Sequence, residues 1–218
     1  MDGGVVTGGA DVRPRRADAQ RNRASILAAA LEVLLEDGPE APLDKIARRA
    51  GVGNATVYRH FVDRDELVRG VILAVVERNA EAAERLLATE PDPVAALRAF
   101  MHHGADSRIS AVLTVLSEWV DKEVPGFAEA NERVLAALRR MIADGQDRGG
   151  LRPDIGVADA FLALCQLSRP IPGIDARLSS PYAHRHVDLL VDGLCTSAPT
   201  PLAEAVDLDH LHAKRGPA

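Results

Sequence analysis

Apolar residues recur at helical spacing along most of this chain, and the polar positions between them are as informative as the stripes. From Gln20 to Asp37 the apolar set is Leu27, Ala30, Leu31, Leu34 and Leu35, which predicts a first helix, and Gly38–Pro39 stops it. Pro42 suits the first position of a second helix, where its missing N–H is no loss. Leu43, Ile46, Ala47 and Ala50 form the buried stripe there and leave Asp44, Lys45, Arg48 and Arg49 outside. Gly51 accepts a positive φ, so the chain can reverse within a short turn. A third helix follows from Gly53–Asn54. Val57 and Phe61, at i and i+4, share its inner face, while Asn54, Ala55, Thr56, Tyr58, Arg59 and His60 occupy the other. Asp63 with Glu66 three residues on caps a long fourth helix. It carries Leu67, Val71, Ile72, Val75, Val76 and Asn79 to about Ala88. At roughly 25 residues it spans about 37 Å.

Beyond the PDP break at 91–93 the stripes continue. Val94, Leu97 and Met101 mark one segment; Ile109, Val112, Leu113, Leu116 and Val120 the next. Phe127, Ala130, Val134, Leu138, Met141 and Ile142 mark a third, ended by GQDRGG. Val157, Ala160, Phe161, Leu164 and Leu167 are followed by RPIPGIDARLSSP at 169–181, read as a loop. Val187, Leu190, Val191 and Leu194 mark the last helix. No alternating strand pattern competes anywhere, so the expected fold is all-α. The expected organisation is a glycine-rich flexible basic arm over 1–19 and a three-helix domain over 20–65, with its helix-turn-helix at 42–61. A larger helical domain, 66–196, is reached through the long fourth helix, and a Pro- and Ala-rich tail covers 197–218.

Composition narrows the class. Hydrophobic content of 47% supports a real core, built on Ala, Val, Leu and Ile because aromatics are only 3%. No run of about 18 apolar residues is present, so no membrane span is expected. The N-terminus lacks a basic region followed by an apolar run, so no signal peptide is read there. Cys165 and Cys195 stand outside any metal-ligand spacing and are expected reduced, which points to the cytoplasm. The net charge of −6 is unevenly spread: residues 1–65 hold ten Lys/Arg and ten Asp/Glu, whereas 66–218 hold sixteen and twenty-two. Near the N-terminus Arg13, Arg15, Arg16, Arg21 and Arg23 face only Asp11 and Asp18 locally. Exposed charges act over about 8–10 Å, so this local balance outweighs the total.

No catalytic signature stands out: there is no Gly-rich phosphate loop, no G-x-S-x-G and no paired carboxylates at metal spacing. His102 and His103 diverge by about 100° on a helix and cannot easily share a metal. Not an enzyme, no metal and no cofactor is the resulting expectation. Hydroxyl, imidazole and guanidinium groups along one helix face suit DNA instead. Hydroxyls and a His N–H donate to phosphate oxygens, and an Arg pairs bidentately with a guanine edge.

Four motifs carry a family resemblance: RNRxxILxAA over 21–30, IAxxAGV over 46–52, TVYRHF over 56–61 and RDEL over 64–67. In order and spacing, residues 21–70 resemble the DNA-binding domain of the TetR family of transcriptional regulators. Two positions depart from the pattern. Gly53 stands where Ser is frequent before the reading helix, and Ala41–Pro42 where Ser or Thr opens the second helix. Neither removes a DNA-facing group.

The resemblance implies that Thr56, Tyr58 and His60 contact phosphate, that Asn54, Ala55 and Arg59 read bases, and that Arg64 touches backbone. Lys45 is a further phosphate candidate on its chemistry. The resemblance also implies a homodimer on a palindromic double-stranded DNA operator, built through 157–167 and 187–194, with Phe161, Leu164, Val187, Leu190, Val191 and Leu194 at the interface. It implies a small-molecule effector near Phe100, Met101, Leu116, Trp119 and Leu138, whose binding releases a repressor from DNA. Arg98 and Glu118 face either that pocket or water. An activator, a regulator without ligand, or an all-α module binding an acidic protein are the alternatives. Tyr58→Phe should weaken binding alike on all sequences, and Arg59→Ala should relax preference at one base pair by about 1–3 kcal/mol. Footprinting titrations check this, and the reverse pattern contradicts it.

Overall fold

The computed structural model describes residues 12–107, 111–112, 115–116, 119, 124–167, 176–195 and 198–203. Among them stand eight helices and no strand, so the chain is all-α. They are α1 (Val12–Asp37), α2 (Leu43–Ala50), α3 (Asn54–His60), α4 (Arg64–Thr89), α5 (Pro93–Ser107), α6 (Phe127–Asp147), α7 (Val157–Leu167) and α8 (Ala176–Leu194). The chain divides into two compact units, and the division falls inside α4, after Val71.

In the first unit α1 packs on α2, and α2 on α3. The side chains removed from water are Ile26, Ala29, Ala30, Val33 and Leu34 of α1, Ala41 before α2, and Ile46 and Ala47 within it. Val57, Phe61, Leu67, Val68 and Val71 are buried as well. The stripe on α1 is thus displaced from the expected one, since Leu27, Leu31 and Leu35 are only half-buried. The reason is that α1 is covered on more than one side. Leu27 lies against Gly70 of α4 while another face of α1 packs on α2, which widens the apolar arc.

α1 also starts at Val12, eight residues before Gln20, so residues 12–19 are helical rather than part of an arm. Ala17, Ala19 and Gln20 are strong helix formers, and Asp18 pairs with Arg21 at i,i+3. Pro14 falls in the first turn, where no intrahelical N–H is needed. Residues 1–11 lie outside the described residues.

In the second unit one core joins Ala80 and Ala83 of α4 to Leu97, Phe100 and Met101 of α5. Val134, Leu138 and Met141 of α6, Leu164 of α7, and Val187, Val191 and Leu194 of α8 complete it. The buried polar side chain of Asn79 is satisfied within this unit: its Nδ2 donates to the Val75 carbonyl at 2.8 Å and its Oδ1 accepts from Ser107 Oγ at 3.1 Å. His103 points inward with its Nε2 buried and unpartnered, and burial followed by Arg85 holds its basicity below the usual imidazole value.

His102 turns the other way, towards α8. Its Nδ1 lies 2.7 Å from His184 Nδ1, its Nε2 lies 3.0 Å from Asp188, and His184 Nε2 lies 2.8 Å from Asp106. Arg98 reaches Asp188 at 2.9 Å and Asp192 at 2.5 Å, and with His102 it holds the Asp188 carboxyl below the usual carboxylate range.

The helical stripe expected over 109–120 falls only partly on described residues; of these Val112, Leu116 and Trp119 are buried. The loop expected over 169–181 is corrected at its end. α8 begins at Ala176 and contains Pro181. Proline removes one backbone bond and strains the preceding turn, but the later turns are held by Val187, Val191 and Leu194, all at 8% exposure or less.

Gly104 brings α5 against α7. A Cβ there would lie 2.4 Å from Leu164 Cδ2 and 2.9 Å from its Cδ1. Gly104→Ala should therefore destabilise the protein by about 1–2 kcal/mol despite the better helix propensity of alanine. Thermal melts check it: adding Leu164→Ala to Gly104→Ala should cost less than the two single losses summed, and strict additivity contradicts the contact.

Candidate nucleic-acid interface

The geometry of α3 begins with the turn before it. Gly51 takes φ 69° and ψ 26°. Its N–H donates to the Arg48 carbonyl at 3.2 Å and the Val52 N–H to the Ala47 carbonyl at 3.0 Å. That is the paired closure of a Schellman motif, and it requires the left-handed conformation that glycine adopts without strain. α3 then starts at Asn54 behind Gly53, which supplies no side-chain cap. At the far end Asp63 Oδ1 accepts from the Glu66 N–H at 2.6 Å, and Glu66 Oε2 accepts from the Val62 N–H at 2.6 Å. The expected cap of α4 is present, with the Glu reaching one residue further back than in the usual capping box.

α3 has seven residues, too few to hold together in water without tertiary support. Val57 at 1% and Phe61 at 2% exposure provide that support. Phe61 is thus a core residue, and the opposite face is committed to solvent. Asn54, Ala55, Tyr58 and Arg59 are exposed, Tyr58 at 57%, and Thr56 and His60 are half-buried beside them. Arg59 Nη2 donates to Thr56 Oγ1 at 3.1 Å, using one of its five donors.

The cations on neighbouring elements are occupied. Lys45 Nζ lies 2.6 Å from Asp37 and 3.7 Å from Glu36. Arg49 reaches Glu32 at 2.7 Å and Glu36 at 3.0 Å, and Arg48 pairs with Asp44 at 2.8 Å. Arg64 Nη1 donates to the Pro39 carbonyl at 2.7 Å, clasping the start of α4 to the α1–α2 turn. The Arg49 guanidinium holds the Glu36 carboxyl below its ordinary value. Glu36 and Asp37 sit at the negative end of the α1 dipole, an unfavourable place for acids that these cations offset. The acidic partners of Lys45 and Arg49 lie on another helix, and charge counting along the chain does not reveal them. Arg23 was also missed as a contributor to α3: its Nη1 donates to the His60 carbonyl at 3.1 Å.

The other predicted residues lie in the second unit. Phe100, Met101, Leu116, Trp119 and Leu138 are all buried, and Phe100, Met101 and Leu138 belong to its central core. A half-open cleft of about 380 Å³ lies at the α4–α5 turn, lined by Leu87, Pro91, Pro93, Ala96, Asp144 and Arg148, and none of the five borders it. Arg98 faces Asp188 and Asp192, while Glu118 lies outside the described residues.

Of the residues expected at the interface, Leu164, Val187, Val191 and Leu194 are buried within the second unit's own core, where α5 packs on both α7 and α8. Phe161 and Leu190 are half-buried, and the exposed aliphatic side chains among the described residues of these helices include Leu162 at 37% and Leu189 at 59% exposure. Helical spacing identifies a buried stripe but not which molecule covers it. Among the described residues no group of three or more His, Cys, Asp or Glu could hold a metal ion, and no helix is long and apolar enough to cross a membrane.

A short helix locked by its apolar face after a glycine turn, with hydroxyl, amide and guanidinium groups presented outward, defines a helix-turn-helix DNA-binding regulator. Residues 26–71 match the bacterial regulatory proteins of the tetR family. A TetR transcription regulatory protein from Mycobacterium vanbaalenii is 34% identical in its crystal structure, with a TM-score of 0.63 over 84% of this chain and 100% of that one. A TetR transcriptional regulator from Streptomyces coelicolor is 32% identical, with a TM-score of 0.63 over 81% of this chain and 99% of its own. UidR, an HTH-type transcriptional regulator of Escherichia coli strain K12, is 24% identical over 168 residues, which is 69% of this chain and 80% of UidR. The chain belongs to the TetR family of DNA-binding transcriptional regulators.

Glu36 sits between two cations that DNA phosphates could otherwise recruit. Glu36→Gln should tighten binding to duplex DNA a few-fold at low salt and steepen the dependence of log K on log salt by up to about one unit. Fluorescence anisotropy over a salt series checks this; unchanged affinity and slope contradict it.

Proposed function

We propose that this regulator is a dimeric repressor that leaves a palindromic operator when a small molecule binds its second unit. The carrying observation is the two-sidedness of α3, with Val57 and Phe61 buried and a face of Asn54, Ala55, Tyr58 and Arg59 exposed. In this reading Thr56, Tyr58 and His60 hold phosphates, Asn54, Ala55 and Arg59 meet base edges, and Lys45 and Arg64 add backbone contacts once their present partners yield. In this reading residues 20–65, preceded by the helical residues 12–19, form the reading head, 66–196 the regulatory and dimerising part, and 197–218 its tail.

A single head reads one half-site. Two-fold pairing places two recognition helices about 34–36 Å apart, matching successive major grooves. The dimer face assigned to α7 and α8 is their outward side, where Leu162 and Leu189 stand exposed over an inner side already filled by the protomer's own core. An effector near Phe100, Met101, Leu116, Trp119 and Leu138 would act by differential affinity for two arrangements of the helices around it. Leu67 and Val68, in the opening turns of α4, are buried in the unit that carries α3, and this supports α4 as the element whose shift changes the spacing of the heads.

Footprinting on the DNA flanking the chain's own gene, combined with light scattering, tests the assembly. Wild type should have the mass of two chains and protect two symmetric half-sites. Leu189→Glu should have the mass of one chain and bind the same duplex about a hundredfold more weakly, because the second half-site loses its tether. A wild-type monomer, or a Leu189→Glu dimer with unchanged binding, contradicts the reading.

A further inference from the structure

Arg23 lies 37 residues before the end of the reading helix, yet touches it twice. Its Nη1 donates to the carbonyl oxygen of His60 at 3.1 Å, and its guanidinium carbon lies 4.3 Å from the centroid of the Phe61 ring. His60 is the last residue of α3 and Phe61 its C-cap. Carbonyls in a last helical turn lack intrahelical partners, and a cation there also meets the negative end of the helix dipole. A guanidinium serves both contacts at once, because its plane stacks on the ring while its edge donates to the carbonyl. An ammonium has no plane to stack.

The surroundings leave this group little freedom. Phe61 is buried at 2% exposure, so the ring under the guanidinium is fixed by the core. Beside both groups, a Cβ placed on Gly70 of α4 would stand 3.3 Å from Phe61 Cε1 and 3.8 Å from Arg23 Nη2. α1, the end of α3 and α4 therefore meet at one point, with Arg23 among them. At the other end of α3 Gly53 contributes no side-chain cap. The N-terminal end of the helix is thus held by backbone bonds alone, and its C-terminal end by a side chain from outside the helix.

We propose that Arg23 is a positioning residue for DNA reading: through the His60 carbonyl and the Phe61 ring it sets the tilt and roll of α3, without itself touching DNA. The proposal rests on the reading that α3 enters the groove. Base-edge contacts are sensitive to sub-ångström placement, whereas attraction to phosphate is not. Losing Arg23 should therefore remove discrimination and leave non-specific binding in place.

The test uses the full chain and a duplex selected from a randomised library by the wild-type protein, with a random-sequence duplex as reference. Circular dichroism and thermal melting confirm that each variant is folded at the assay temperature. Arg23→Met should bind the selected duplex about tenfold more weakly while binding the random duplex as wild type does. Its salt slope should stay within half a unit, since loss of a direct phosphate contact would lower it by about one.

Arg23 and Arg59 should be coupled although nothing bridges them directly: Arg59→Ala should lose at least about threefold less in the Arg23→Met background than in wild type. Arg23→Lys keeps charge and length but not the stacking plane. It should show a smaller loss with the same coupling, and it carries the measurement alone if Arg23→Met does not fold. Additive losses, a slope lowered by about one, equal weakening on both duplexes, or wild-type discrimination in Arg23→Lys would each overturn the proposal. If Arg59→Ala leaves wild-type binding unchanged, the reading of α3 itself falls, a result separable from the others because it needs no Arg23 variant.

Discussion

The burial of Phe61 is the contact on which the reading head depends. A helix of seven residues has little stability of its own, so α3 exists because Val57 and Phe61 are taken out of water against the first unit's core. Once they are, the orientation of the helix is fixed and the remaining side chains have one direction left to face. The same ring carries the guanidinium of Arg23 and lies near Gly70 of α4. A single aromatic side chain thus connects α1, the end of α3 and α4, and gives the outer face of α3 a defined aim.

Electrostatics around this head are restrained. The α2 cations Lys45, Arg48 and Arg49 each have an acidic partner, and Arg64 is bound to a backbone carbonyl. Such exposed pairs add little stability individually, but they set how much positive charge is free for phosphate. On the proposed reading, these described pairs leave little free positive charge beside α3, and base contacts from α3 supply most of the preference for one sequence. This makes placement of α3 more consequential than total charge, and it explains how a chain of net charge −6 can belong to a DNA-binding family.

Much of the head was legible in the sequence because its determinants are local. Gly51 takes its positive φ, Asp63 and Glu66 cap α4, and Val57 and Phe61 are one turn apart on a single face. What escaped depends on contacts distant in the chain. Ile26 and Val33 are more buried than Leu27 and Leu31 because α1 is covered on more than one side, and a stripe read from spacing cannot anticipate that. Leu164, Val187 and Val191 are apolar at helical spacing, and that spacing alone does not show that they join the core around α5. Pro181 marks a break by local rules, yet α8 runs through it because its later turns are buried. Arg23 and Lys45 are exposed cations in any one-dimensional view, and their partners appear only once the helices are packed.

Hydrogen exchange of the full-length chain, with and without a duplex selected by it, addresses the central claim most directly. The account predicts that DNA slows exchange across residues 53–62, the span holding α3 and its flanking turns, while the buried core of the second unit keeps its free-state rates. Protection concentrated in the second unit, with 53–62 unchanged, would contradict it.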